Sequence, residues 1–192
     1  MQRIRTMFQG IPKFTLEEAY QFTVEHARDI REHCPTLVDY AKQCRHVTEM
    51  GTRWGASTLA FLYAQPEHLV CYDWKKHANV NRIAKLAGNT NFTFHESSTL
   101  EVEIEPTDLL FLDTLHTYTQ LKAELNLHSD KAKKYIIMHD TVKFGKKGQR
   151  EGERGLEPAW TEFLKTSDCW ELHEHYTNNN GLTILSRVEK KK

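Results

Sequence analysis

The chain has 192 residues, enough for one domain with a sizeable core. Its 26 lysines and arginines balance its 26 aspartates and glutamates, so no bulk attraction to nucleic acid or to a membrane surface is expected. No apolar run reaches about 18 residues, and Cys34, Cys44, Cys71 and Cys169 have the spacing of neither a zinc knuckle nor a disulfide framework. Without a signal-peptide pattern, the expectation is a soluble, cytoplasmic protein with reduced thiols.

The residues before Phe14 read as an arm. Thr15 and Glu18 have capping-box spacing and open a helix to about His33, which Pro35 is expected to end. A second short helix follows from Leu37 to about Cys44, so residues 1–45 form an arm and covering helices. Val47 to Met50 ends a buried strand. Gly51 permits a tight turn, and Ser57 or Thr58 is placed to cap the helix through Leu59–Tyr63. Strands then alternate with helices. Strand-like runs end at Asp73, at Glu96 and Ser97, at Asp113, and at His139 and Asp140. Thr117 and Gln120 mark another capping box. Residues 141–154, rich in Gly, Lys and Arg, read as a mobile loop. A helix over Leu156–Lys165 precedes a hairpin whose turn is Asn178-Asn179-Asn180-Gly181. The pattern predicts an α/β protein, a three-layer sandwich around a mostly parallel seven-stranded sheet that closes with an antiparallel hairpin. Residues 46–188 form one domain, and 189–192 are a basic tail.

Ligands of open α/β sheets bind beyond the carboxyl ends of the strands, so the strand-terminal residues carry the chemistry. Gly51 and Gly55 let backbone approach a ligand or a neighbouring element above a helix N-terminus. Asp73, ending the second strand, can accept both hydroxyls of a ribose. Trp74 beside it packs either on an adenine face or as a half-exposed structural residue. Glu96 and Ser97 either reach an adenine edge or end a strand in solvent. Asp113, His139 and Asp140 converge if the fourth and fifth strands are neighbours. Crowded carboxylates need a cation or a proton between them, and oxygen ligands with one imidazole suit magnesium or manganese. The same residues also serve as caps and packing groups in proteins without a site.

The spacing Glu49-x-Gly51-x-x-x-Gly55 resembles the first motif of the class I S-adenosylmethionine-dependent methyltransferases. Phe111-Leu112-Asp113-x-x-His116-x-Tyr118, then His139-Asp140-Thr141, then Asn178 to Leu185, resembles the macrocin and rhamnosyl O-methyltransferase and cephalosporin-hydroxylase-type group, over roughly Val47 to Arg187. The resemblance implies a Rossmann-like fold, with Glu49, Gly51, Gly55, Ser57, Asp73, Trp74, Glu96 and Ser97 at the methyl donor. It implies Asp113, His139 and Asp140 around a divalent metal such as Mg2+. Position 139 departs from the group, where some members carry an acid. His116 is then the candidate base, with Asp113 and His139 as the other catalytic groups. The implied reaction is O-methylation of a small-molecule hydroxyl, such as that of a sugar, and a homo-oligomer is the implied assembly. The rivals are a metal-independent enzyme with a histidine base and a non-catalytic binding domain.

Overall fold

The computed structural model describes residues 14–189; the expected arm before Phe14 and the basic residues after Glu189 lie outside them. Its strands are β1 His46–Met50, β2 His68–Asp73, β3 Asn91–Glu96, β4 Thr107–Leu112, β5 Ala132–His139, β6 Trp170–Tyr176 and β7 Leu182–Arg187. They form one sheet in the order β3-β2-β1-β4-β5-β7-β6. The first five pair in parallel, while β7 runs antiparallel to both β5 and β6. The helices are α1 Leu16–His26, α2 Cys34–Ala41, α3 Ala56–Tyr63, α4 Val80–Ala84, α5 Tyr118–His128 and α6 Glu157–Thr166. Among the described residues no helix is long and apolar enough to cross a membrane.

Alternation along the strands divides the core into two layers. Val47, Leu109, Phe111 and Ile137 face α1, α2 and α3, where Phe61 meets Phe111 edge-on at 5.2 Å. Met50, Leu110, Leu112, Ile136 and Met138 face the other way, onto Leu121 and Leu125 of α5 and Trp160 of α6. Both faces of the central strands are therefore apolar, which is why they read as continuous hydrophobic runs. The three-layer sandwich and terminal hairpin match the expectation from sequence.

The elements differ from expectation in three places. First, α1 stops at His26, seven residues early. The Arg28 and Asp29 carbonyls accept from Asn179 Nδ2 at 2.8 Å and His139 Nε2 at 2.9 Å, so distant partners override the local helix pattern. Second, Pro35 lies in the first turn of α2, where its missing N–H costs nothing; it starts a helix instead of ending one. Third, neither Ser57 nor Thr58 caps α3. Gly55 occupies the N-cap with φ 85°, and both hydroxyls turn inward. The Thr15–Glu18 capping box forms in full, while Thr117 caps α5 without a reciprocal bond from Gln120.

Candidate active site

The chain leaves β1 toward β2 and β3, then returns to place β4 on the other side of β1. The sheet's switch point thus lies between β1 and β4, and a cleft of about 760 Å³ opens above their carboxyl ends. Gly51 forms its floor, at φ 93°. A Cβ here would overlap the Asp113 carbonyl oxygen, so the position requires glycine for both conformation and space. The turn is fixed on both sides, with Gly51 N–H donating to the Tyr72 carbonyl at 2.8 Å and Asp113 N–H to the Met50 carbonyl at 2.9 Å.

Asp73 stands at the rim, 6% exposed. Its carboxylate accepts from the backbone N–H of Arg53 at 2.7 Å and of Lys75 at 3.1 Å, which fixes its orientation while leaving lone pairs toward the cleft. Arg53 adopts φ 46° to make that bond. Trp74 lines the same opening and is 78% exposed.

Several residues expected at the donor lie elsewhere. Glu49 is completely buried beneath the turn. Ser57, Thr58 and Thr52 donate hydroxyls to it at 2.5, 2.6 and 3.3 Å, so both it and Ser57 belong to a closed internal network. Burial raises the Glu49 pKa, and these hydroxyls pull it back. Gly55 makes room for Ile83 of α4, which a Cβ would overlap, and it does not line the cleft. Glu96 is exposed and outside the cleft lining, and Ser97 also stays outside it. The chain reaches the cleft two residues later, at Ser98 and Thr99.

Asp113, His116, His139 and Asp140 come together at the ends of β4 and β5. His116 Nε2 lies 2.9 Å from Asp113 Oδ1 and 3.0 Å from Asp140 Oδ2, so its N–H bridges the two carboxylates. Its Nδ1 lies 2.8 Å from Gln149 Oε1, and its ring stacks on Phe144 at 4.8 Å. Burial alone would lower the His116 pKa, but Asp113 and then Asp140 raise it. His139 is 2% exposed. Its Nε2 faces the Asp29 carbonyl and must carry the proton there, leaving Nδ1 aimed at the acid pair, 3.4 Å from Asp113 Oδ2. Against burial, the Asp113 charge with help from Asp140 pushes the His139 pKa up to about 9. The two histidines outweigh burial and hold Asp113 well below the usual carboxylate range. Burial and the Asp113 charge push Asp140 upward.

Neighbouring residues on a regular strand point to opposite faces. Asp140 escapes this by taking φ 60° directly after β5, so its carboxylate swings to the side that His139 faces. One ligand atom each from Asp113, His139 and Asp140 lies within 4.8 Å of the others. Among the described residues, neither His139 Nδ1 nor Asp140 Oδ1, both buried, has a hydrogen-bond partner. A ring whose far nitrogen donates to a backbone carbonyl is oriented as metal-bound imidazoles are. The donor set would fit a small, hard divalent cation.

Residues 141–154 are folded, although their composition reads as a mobile loop. The Leu156 and Glu157 N–H groups donate to Phe144 and Gly145, Gly148 pairs with Glu153, and Gln149 N–H donates to the His116 carbonyl at 2.8 Å. This segment brings Lys143, Phe144, Gln149 and Arg150 to the cleft, and the α1–α2 connection brings Asp29. Sequence reasoning did not single out these residues for the site. Nothing near Asp29 signals its place 110 residues upstream of its partner His139.

Residues 48–141 match a family model described as a methyltransferase domain. No curated protein matches the sequence significantly. Solved structures share the fold at low identity. The O-methyltransferase from Bacillus cereus in complex with SAH aligns with a TM-score of 0.70 and 18% identity, over 95% of this chain and 95% of that one. TomG from Streptomyces achromogenes, an O-methyltransferase involved in tomaymycin synthesis and solved with SAM, gives 0.62 and 16%, over 96% and 94%. The N-methyltransferase NodS from Bradyrhizobium japonicum WM9, in complex with S-adenosyl-L-homocysteine, gives 0.63 and 14%, over 92% and 100%. The chain has the class I fold of the S-adenosylmethionine-dependent methyltransferases, and residues 48–141 carry its methyltransferase domain.

Proposed function

With a class I methyltransferase as the premise, we propose that the protein transfers a methyl group from S-adenosylmethionine to a hydroxyl of a small molecule such as a sugar, with help from a divalent ion. The carrying observation is that one cleft holds both the Gly51 turn with Asp73 and, beside them, the Asp113–His116–Asp140 group. The first half suits a nucleoside, with Asp73 accepting from ribose hydroxyls and Trp74 within reach of the base. The structural relatives solved with SAM or SAH support this donor.

The sulfonium is already a good electrophile, so catalysis rests on alignment and on a nucleophilic acceptor. A divalent ion held by Asp113, His139 and Asp140 would lower the hydroxyl pKa and orient the acceptor. His116 supplies the base. With Nδ1–H donating to Gln149 Oε1, the neutral ring that acts as base is the one that has lost the Nε2 proton shared with Asp113 and Asp140, so Nε2 is the proton-accepting atom. The acceptor oxygen attacks the methyl carbon, the carbon–sulfur bond breaks, and its electron pair stays on sulfur to give the neutral thioether. The hydroxyl proton passes to His116 Nε2, where Asp113 and Asp140 stabilise the imidazolium. Phe144, stacked on the ring, shields it from water. The segment over residues 141–154 acts as a cover on the acceptor.

The test is methyl transfer to a panel of sugars and catechol-like hydroxyls, with and without chelator. Loss of turnover on chelation and its return with Mg2+ or Mn2+ supports the metal-assisted enzyme. Full activity of protein shown by elemental analysis to be metal-free leaves His116 as sole base. Donor binding with no transfer to any acceptor favours a binding domain.

A further inference from the structure

Glu124 on α5 is 1% exposed and takes no part in the chemistry above, yet it joins three parts of the cleft wall. Its Oε1 accepts from the Thr99 hydroxyl at 2.6 Å, from Gln120 Nε2 at 2.8 Å and from the Thr114 hydroxyl at 2.8 Å. Its Oε2 takes a second contact from Thr114 at 2.9 Å. Thr99, Thr114 and Gln120 all line the cleft, with Glu124 behind them. Thr99 belongs to the loop after β3. Thr114 belongs to the loop after β4, between Asp113 and His116. One turn further along the same helix face, His128 Nε2 donates to the Thr99 carbonyl at 2.7 Å.

We propose that Glu124 is a positioning residue for the methyl-donor cleft, fixing the loops after β3 and β4 against α5 so that Thr99, Thr114 and the Asp113–His116 segment keep their places around the bound donor. The physical reason is valence. All three partners are donors, and a carboxylate is the acceptor-only group that satisfies them together. Burying it is costly unless every bond is made, so the network is stable in one arrangement of the two loops. A hydrophobic side chain would fill the volume and leave the Thr99 and Thr114 hydroxyls without their acceptor, with Gln120 keeping only its bond to the Thr99 hydroxyl. The inference rests on the donor reading of this cleft, because that reading gives the two loops a ligand to hold.

Glu124→Gln keeps the shape but removes the charge, and its amide must stand either at Oε1, where three donors converge, or at Oε2, facing the Thr114 hydroxyl. Two measurements test it. In the ligand-free protein, hydrogen exchange at residues 98–100 and 113–117 should speed up by about tenfold, while central β1 and β4 amides stay protected. In calorimetry, S-adenosylhomocysteine should bind Glu124→Gln and Thr114→Val each several-fold to about tenfold more weakly, and the double variant no more weakly than Glu124→Gln alone. The donor KM should rise more than kcat falls, a split that a general loss of stability would not produce. If the wild-type protein does not bind S-adenosylhomocysteine, the donor reading falls and this assignment with it. If the wild type binds and folded Glu124→Gln shows the same affinity and the same loop exchange, Glu124 alone is overturned.

Discussion

Glu49 and Asp140 are both buried acids at the carboxyl edge of the sheet, and they stand in opposite states. Glu49 receives three hydroxyl hydrogen bonds and is completely buried, so it presents no oxygen to the cleft. Asp140 keeps one buried oxygen without a hydrogen bond among the described residues and shares the other with His116. An unsatisfied buried polar atom costs on the order of 1–3 kcal/mol, a cost that folding alone gives no reason to bear. A strand-end acid is therefore diagnosed less by its position than by its unmet valence. Glu49 holds the turn together, and the Asp140 oxygen suits the ion proposed above.

The sharpest break in this comparison is a substitution at Asp140. Asparagine tolerates the left-handed backbone found there, so Asp140→Asn should fold. It should lower turnover by about 10²-fold or more, as loss of a group stabilising charge in the transition state does, while leaving S-adenosylhomocysteine affinity within about twofold. Relief of the Asp113–Asp140 repulsion should also leave the melting temperature unchanged or higher. Steady-state kinetics, calorimetry and thermal melts read all three. A variant with wild-type turnover would return Asp140 to a structural role.

Glu49→Gln should show the reverse pattern. One oxygen is replaced by a donor that faces either the Ser57 hydroxyl or the Thr58 and Thr52 hydroxyls, at a cost of about 1–3 kcal/mol in stability. Denaturant titration should register that loss. The kcat of the folded fraction should change by less than about threefold, since the side chain never reaches the cleft.

His139, beside Asp113 and Asp140, gives a pH signature in chelated protein. The folded-state pKa of His139, about 9, stands above its ordinary value of 6.5. The folded state thus binds the proton more tightly, and this contribution is fully present below about pH 6.5 and lost as pH rises through about 9. Between pH 7 and 9 the free energy of unfolding should fall by about 2 kcal/mol. His139→Gln should flatten that slope. A slope equally steep in the variant would assign it to another group.

The sheet was legible because its signals are local. Apolar runs ending in acids mark β2, β4 and β5, and Thr15 with Glu18 marks the start of α1. The roles of the acids were only half legible, since Glu49 and Asp113 look alike in a string of letters. Strand parity held the missing clue. Glu49 shares a face with Val47, which packs beneath the helices, so its side chain points under α3. Asp29, Phe144 and Gln149 carried no such clue. Their places depend on contacts across the fold, such as the Asp29 carbonyl on His139 and Gln149 on His116. The composition of residues 141–154 suggests mobility because it cannot show the backbone bonds to Leu156 and Glu157 that fold the segment back.

Asp73 supplies the mildest test, because it lies between the two states. Each of its oxygens accepts one backbone N–H, from Arg53 and from Lys75, so it is oriented but not saturated. A ribose hydroxyl donating to such a carboxylate is worth about 1.5–3 kcal/mol. Asp73→Ala should therefore weaken S-adenosylhomocysteine binding by about tenfold or somewhat more. The substitution also frees the Arg53 N–H at φ 46°, so part of any loss could come from the turn itself. Asp73→Asn separates the two effects. Its oxygen still accepts from Arg53, while its amide no longer receives a second ribose hydroxyl. If both variants lose affinity, with the asparagine form in between, Asp73 holds the ribose. If Asp73→Asn binds as tightly as wild type, Asp73 only pins the turn, and it joins Glu49 among the acids that build the cleft without touching what fills it.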